Sequence, residues 1–260
     1  MRPKLNHLKK IRVGAVSYLN TRPLLYGIRH HSISSQVDLI EDYPSRIAQL
    51  LIEDRIDLGL IPVAVLPQLK EYHIISNYCI GAHGAVASVC IFCDVPIEEV
   101  KTIYLDYQSK TSVSLARILI KDYWKKEVEF IATKNEDFRN LIKGTTGGVI
   151  IGDRALQQRA ISKYSYDLGE AWMKHTGLPF VFAAWIANKK LPTEFINAFD
   201  EANAFGLQNL DEVIKETSAS NFDLRDYYRN YISYNLDQEK KEGMKLFLKL
   251  LANFKPIHSF

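Results

Sequence analysis

Residues 11–16 read Ile-Arg-Val-Gly-Ala-Val, mostly β-branched or small with no helical period, and the pattern predicts a buried strand. Pro23 suits the first turn of a helix, so residues 11–25 form a strand, a polar loop and a helix in succession. The loop at residues 17–22 is Ser-Tyr-Leu-Asn-Thr-Arg. It sets hydroxyls, a phenol, an amide and a guanidinium in front of helix amides and the positive end of the dipole, which is chemistry that holds an oxyanion. A capped helix start has the same features, so the loop alone leaves both readings open.

The unit recurs. Residues 37–43 read as a strand ended by Pro44, Ser45 caps a helix carrying Ile47, Leu50 and Leu51, and residues 56–63 are a second buried strand. Strand, helix, strand, helix, strand predicts a parallel sheet with right-handed crossovers and a ligand crevice at the carboxyl ends of its strands. The loop at 17–22 lies at such an end. From Thr102 the alternation starts afresh, with a strand at 102–106, a hydroxyl-rich loop at 109–112 and a helix at 113–124. A strand at 128–132, a helix at 136–142 and a strand at 148–151 follow, the last delivering Asp153 to its end. Two similar halves of this kind predict two α/β lobes facing each other over a cleft.

Between the halves, residues 74–93 hold two apolar runs separated by Gly81-Ala82-His83-Gly84, with His83 read as a surface or structural histidine. Ser88 interrupts the second run, and a hydroxyl there either satisfies itself on the backbone or faces the cleft. The aromatic run at 177–185 reads as a strand carrying the chain back to the first lobe, with Trp185 in the core or on the cleft wall. Beyond Thr193 the pattern is helical, with breaks near Gly206, 220–223 and 236–237, and Lys240, Lys241, Lys245 and Lys249 read as a solvated face.

Charge narrows the partners. A net charge of +3, from 33 basic and 30 acidic residues, is too balanced for a nucleic-acid footprint. No stretch is long and apolar enough for a membrane span, and the basic residues 1–10 precede no apolar core of a signal peptide, which predicts a cytoplasmic protein. Cys79, Cys90 and Cys93 fit a reducing compartment, and the Cys90/Cys93 spacing falls within a strand, where core cysteines are expected. Gly144, Gly147, Gly148 and Gly152 match no phosphate-binding fingerprint.

Five segments together resemble a known family: V-S-Y-L-N-T-R-P-L at 16–24, D-L-G-L-I-P at 57–62, G-A-V-A-S-V at 84–89, S-K-T-S at 109–112 and G-L-P-F-V-F-A-A-W at 177–185. They are similar to the menaquinone-biosynthesis chorismate dehydratases of the futalosine route. The resemblance implies a two-lobed α/β fold like the type II periplasmic binding proteins, with the ligand cleft between the lobes. It puts crossovers near Asp94 and Ala184, so that residues 1–94 and 185–260 form one lobe and 95–184 the other.

It further implies a cytoplasmic hydro-lyase that converts chorismate to 3-[(1-carboxyvinyl)oxy]benzoate and water without a cofactor or metal, with a small-molecule substrate and neither nucleic acid nor membrane as partner. Asn20 and Ser88 fall in motifs matching the family's active-site segments and are the expected catalytic residues. Ser17, Tyr18, Thr21, Arg22, Gly84, Ser109, Thr111, Ser112 and Asp153 are the neighbouring candidates for substrate binding. Apart from Asp57 the matched motifs hold no Asp, Glu or His, so a carboxylate of the substrate is the expected base. Two other readings share the fold: a small-carboxylate binder without chemistry, and the sister enzyme that cleaves a cyclic futalosine. The Ser-Tyr-Leu-Asn loop differs from the Pro-Cys-Pro-Asn type loop of that sister.

Overall fold

The apolar run at the amino end becomes β1 (Ile11–Val16), buried over its last four residues, and it feeds a 3₁₀ turn (Leu19–Thr21) and α1 (Arg22–His30). The computed structural model describes residues 10–217 and 222–254. The expectations for residues 1–10 and for a break at 220–223 therefore lie largely outside the described residues. β2 (Val37–Asp42), α2 (Pro44–Ile52) and β3 (Leu58–Pro62) complete the first unit, and β1 pairs in parallel with both β2 and β3. Ser45 is not the cap of α2. Tyr43 takes that position and Pro44 opens the first turn, where its missing N–H costs nothing.

One strand, from late in the chain, then runs against this parallel set. β4 (His73–Ala82) and β10 (Phe180–Ala187) lie antiparallel to each other, and β10 inserts between β3 and β4. The second sheet contains β5 (Val89–Cys93), β6 (Thr102–Leu105), β7 (Glu129–Ala132), β8 (Thr146–Ile151) and β9 (Tyr164–Asp167) in the order β7-β6-β8-β5-β9. Here β6 runs parallel to β7 and β8, and β5 runs antiparallel to β8 and β9. α3 (Lys110–Asp122), α4 (Asp153–Gln158) and α5 (Leu168–Thr176) belong to this half.

The chain passes between the sheets at residues 83–88 and 177–179, ahead of Asp94 and Ala184 in both cases. An apolar run shows that a strand is buried without showing which sheet it joins. β5 is buried at every residue and pairs with β8 and β9, while Ala184 lies in the middle of β10. Trp185 is fully buried, and its indole N–H donates to Asn203 at 3.1 Å, so it packs in the core.

The carboxy-terminal part comprises α6 (Thr193–Gln208), α7 (Leu210–Glu216), α8 (Leu224–Asp226) with a following π-helical turn (Tyr227–Tyr231), β11 (Ser233–Asn235) and α9 (Gln238–Leu251). The break expected near Gly206 falls at Asn209, between α6 and α7, and Gly206 itself lies within α6. It faces α1 so closely that a β-carbon would overlap the Pro23 carbonyl, and Gly27 meets Ala202 in the same way. β11 extends the edge of the first sheet beside β4. Lys240 is buried rather than solvated: its ammonium donates to Asn235 O at 2.7 Å and Asp237 Oδ2 at 3.0 Å and contacts His83 Nε2 at 3.1 Å. Lys241, Lys245 and Lys249 are exposed.

All three cysteines are buried free thiols. Cys90 and Cys93 enter different apolar clusters on opposite faces of β5, as an i, i+3 pair on a strand must, and burial pushes the Cys93 thiol up to about 12. No helix among the described residues is long and apolar enough to cross a membrane.

Candidate functional site

β1 ends on one side of a cleft and the loop at 17–22 turns into it. Ser17 donates its amide to Asp42 O at 3.2 Å, which fixes where the chain leaves the sheet. The next turn is tied by the Thr21 amide on Tyr18 O at 3.0 Å and held from behind by the Tyr234 hydroxyl, which donates to Asn20 O at 2.9 Å. The Thr21 hydroxyl donates to Asn20 Oδ1 at 3.1 Å. That bond fixes the plane of the Asn20 amide and leaves its NH₂ donors for a guest. No side chain caps α1, the Arg22 amide donates to Leu19 O, and Pro23 has no N–H, so the donors this turn offers the cavity are the side chains of Asn20 and Thr21.

The second sheet supplies the facing wall. Ser109 caps α3 by accepting the Ser112 amide at 3.1 Å, and its own hydroxyl donates to Ser112 Oγ at 3.0 Å. The Ser112 hydroxyl proton is thereby left for a ligand. Two helix N-termini, those of α1 and α3, approach one cavity from opposite sheets. The cavity lies between Tyr18, Asn20, Thr21, Ser109, Ser112 and Gly152, with Ile80, Val86, Val89 and Phe182 among its apolar walls. Tyr18 is the only titratable side chain on those walls among the described residues. Burial pushes its hydroxyl above the usual phenol range, and it donates to Gln108 Oε1.

Several bonds close the two sides on each other. The Leu19 amide donates to Asp153 Oδ1 at 2.9 Å, the Ala64 amide to Thr111 Oγ1 at 3.1 Å, and Ser45 donates its amide to Gln108 O at 3.1 Å and its hydroxyl to Tyr107 O at 3.2 Å. Arg154 stands at the rim with Nη2 at 2.8 Å from Asp106 Oδ2 and 2.8 Å from Gln108 Oε1. Burial pushes the Asp106 and Asp153 carboxyls upward, opposed at Asp106 by Arg154 and at Asp153 by the Leu19 amide.

Of the expected residues, Tyr18, Asn20, Thr21, Ser109 and Ser112 line the cavity. Ser88 does not. It is fully buried just before β5, accepting from the Tyr227 hydroxyl at 2.7 Å and facing Val86 O at 3.4 Å, so it stands behind the wall made by Val86 and Val89. Ser17 is exposed outside the cavity, and the hydroxyl of Thr111 is turned to Ala64. Asp153 grips Leu19, and Arg22 lies off the wall with a buried Nε that has no hydrogen-bond partner. Gly84, at φ +102, serves the crossover turn.

Asp106, Gln108, Arg154, Asp167 and Tyr227 were not legible as site residues. Asp167 accepts from the amides of Val86 and Ala87 as well as Gly169 and Glu170, fastening the 83–88 crossover to the start of α5. Asp106 and Asp167, like the expected Asp153, stand at a strand's carboxyl end, and Asp167 with Glu170 forms a D-x-x-E capping signature, which are the signals that would have found these two. Among the described residues, no group of three or more His, Cys, Asp or Glu side chains could hold a metal ion.

Two α/β lobes joined by two crossovers, with opposed helix N-termini at the cleft, define the binding-protein-like class of folds. A protein from Archaeoglobus fulgidus superposes with a TM-score of 0.74 at 14% identity, over 95% of this chain and 98% of that one. A Candida albicans protein with the generic periplasmic binding protein fold gives 0.64 at 14% identity, over 96% and 92%. The aliphatic sulphonate binding protein SsuA of Escherichia coli gives 0.53 at 11% identity, over 94% and 91%. Within that class, the family model described as menaquinone biosynthesis matches residues 11–253, and the chain belongs to this family. The chain is 25% identical to the chorismate dehydratase of Thermus thermophilus, over 92% of its own length and 94% of the relative's. To the chorismate dehydratase of Campylobacter jejuni it is 26% identical, over 91% and 95%.

Proposed function

We propose that the protein is a chorismate dehydratase, a carbon–oxygen lyase that converts chorismate to 3-[(1-carboxyvinyl)oxy]benzoate and water on the futalosine route to menaquinone. Relatives of that name match it nearly end to end. The observation that carries the reading at the site is the pairing of Asn20 and Thr21 with Ser109 and Ser112 at two opposed helix N-termini. Such a cavity suits a small dianion with a carboxylate at each end.

The reaction takes a proton from the ring carbon bearing the ether and expels hydroxide from its neighbour, and aromatisation drives it. Among the described residues the walls carry no Asp, Glu, His or Lys, and the Tyr18 proton is held on Gln108, which supports the enolpyruvyl carboxylate of the substrate as the base. In this reading the Asn20 NH₂ hydrogen-bonds the leaving hydroxyl, the proton taken from the ring carbon by the substrate carboxylate passes to that hydroxyl so that it departs as water, and the amides beginning α3 with the Ser112 hydroxyl hold a carboxylate. Ser88 acts from behind the wall, keeping the Val86–Val89 strand entry in place through Tyr227.

The test is incubation of metal-free protein with chorismate, followed by absorbance and mass. An aromatic product lighter by one water is expected. Chorismate recovered unchanged from a folded protein that binds it would overturn the reading in favour of a carboxylate binder, and cleavage of a cyclic futalosine instead would point to the sister enzyme.

A further inference from the structure

Consecutive residues of the second sheet's half close on the catalytic turn of the first. Asp153, at the start of α4, accepts the Leu19 amide at 2.9 Å. The 3₁₀ turn Leu19–Thr21 has no capping bond from its own N-cap side chain, that of Tyr18. Asp153 therefore caps the turn from across the cleft and satisfies a donor that the turn leaves orphaned. Arg154 follows with Nη2 at 3.1 and 2.8 Å from the Asp106 carboxylate oxygens, 2.8 Å from Gln108 Oε1 and 3.5 Å from the Tyr18 hydroxyl. Gln108 Oε1 accepts the Tyr18 hydroxyl as well. Tyr18 and Leu19 immediately precede Asn20, whose amide lines the cavity.

We propose that Asp153 and Arg154 are positioning residues that set Asn20 through the Leu19 amide and the Tyr18 hydroxyl, so that closing the cleft and assembling the site are one event. Neither needs to touch the substrate. Other contacts across the cleft, Ser45 with Tyr107 and Gln108 and Ala64 with Thr111, hold the walls together away from this turn. The kinetic consequence rests on the dehydratase reading, while the structural one does not. A displaced Asn20 leaves the helix amides to bind the dianion, so the loss falls on kcat more than on KM.

The test compares Asp153→Ala, Asp153→Asn, Arg154→Ala and Gln108→Leu in the full chain, each checked by circular dichroism melting. Steady-state turnover of chorismate is measured with amide hydrogen exchange of residues 17–22. Asp153→Ala and Arg154→Ala are expected to lower kcat on the order of a hundredfold with KM within a few-fold, and to speed exchange in 17–22. Asp153→Asn keeps an oxygen for the Leu19 amide and should recover most of both losses. Wild-type kinetics and exchange in the two alanine variants would overturn the proposal. So would Asp153→Asn as slow as Asp153→Ala, because the charge would then act directly on the reaction. Gln108→Leu keeps the test open should an alanine variant not fold, since it removes the oxygen shared by Tyr18 and Arg154 and is expected to slow kcat likewise. If the wild-type protein leaves chorismate untouched, the dehydratase reading fails and the exchange measurement alone decides the positioning role.

Discussion

The ring of Tyr18 lies against the α-carbon of Gly152, so near that a β-carbon there would sit 2.8 Å from Cδ2 and 2.9 Å from Cε2. The two residues come from different sheets, and their contact is possible only because position 152 has no side chain. Gly152 also has φ +64, a conformation costly for other residues.

Gly152→Ala therefore combines backbone strain with a collision that holds the cleft ajar. Gly144 separates the two, since it has φ +56 and nothing within 4 Å of its missing β-carbon. Gly144→Ala should lower the melting temperature through a strain of about 1–2 kcal/mol and leave kcat/KM near wild type. Gly152→Ala should lose more than about tenfold in kcat/KM. Equal kinetics in the two variants would mean that the Tyr18 contact has no part in closure.

At the cavity itself, Asn20→Ala removes the oriented amide and should cost about 10²–10³ in kcat, the usual effect of deleting one preorganised donor. Thr21→Val deletes only the hydroxyl that orients it, keeps the shape, and should cost about tenfold. Steady-state kinetics on chorismate gives both numbers, and a Thr21→Val defect as large as that of Asn20→Ala would transfer the direct contact to Thr21.

Tyr227 and Ser88 form a buried pair far apart in sequence, and removing either leaves a polar atom without its partner. Tyr227→Phe and Ser88→Ala should each cost about 1–3 kcal/mol, while the double variant should cost clearly less than their sum. Urea titration of the four proteins closes the cycle. Strict additivity would show that the hydroxyls do not interact in solution.

The sequence carried the strand, loop and helix of residues 11–25, the second round of alternation from Thr102, and five of the cavity's polar residues, because these signals are local. What stayed hidden is non-local. Nothing in a run of apolar residues says that β5 joins the second sheet or that β10 slips between β3 and β4, since both are buried on each face. β11 is three residues long, too short to show a period. Lys240 shares a charged stretch with exposed lysines, and only the partners Asn235, Asp237 and His83 account for its burial. Ser88 was legible as a hydroxyl needing a partner, but that partner lies in a turn 139 residues further on.

Outside the site, Asp57 ties the start of β1 to the end of β10. Its carboxylate accepts Arg12 Nη2 at 2.7 Å, Arg12 Nε at 3.0 Å and the Arg12 amide at 2.9 Å, with Lys189 Nζ at 2.8 Å. Burial alone would raise this carboxyl, but the bonds from Arg12 and Lys189 outweigh it and hold the group well below the usual carboxylate range. A depressed acid contributes stability that is complete above its unfolded value of about 3.9 and is lost as pH falls through its lower folded value. Asp57→Asn should therefore cost about 2 kcal/mol near neutrality, seen as a melting temperature lower by roughly 4–8 °C. The gap between wild type and variant should narrow below about pH 4, because acid removes from the wild type what the substitution has already removed. Melting curves from pH 7 to pH 2.5 measure it, and a gap of constant size would mean that the carboxylate's charge contributes nothing and that only the shape of the side chain is needed.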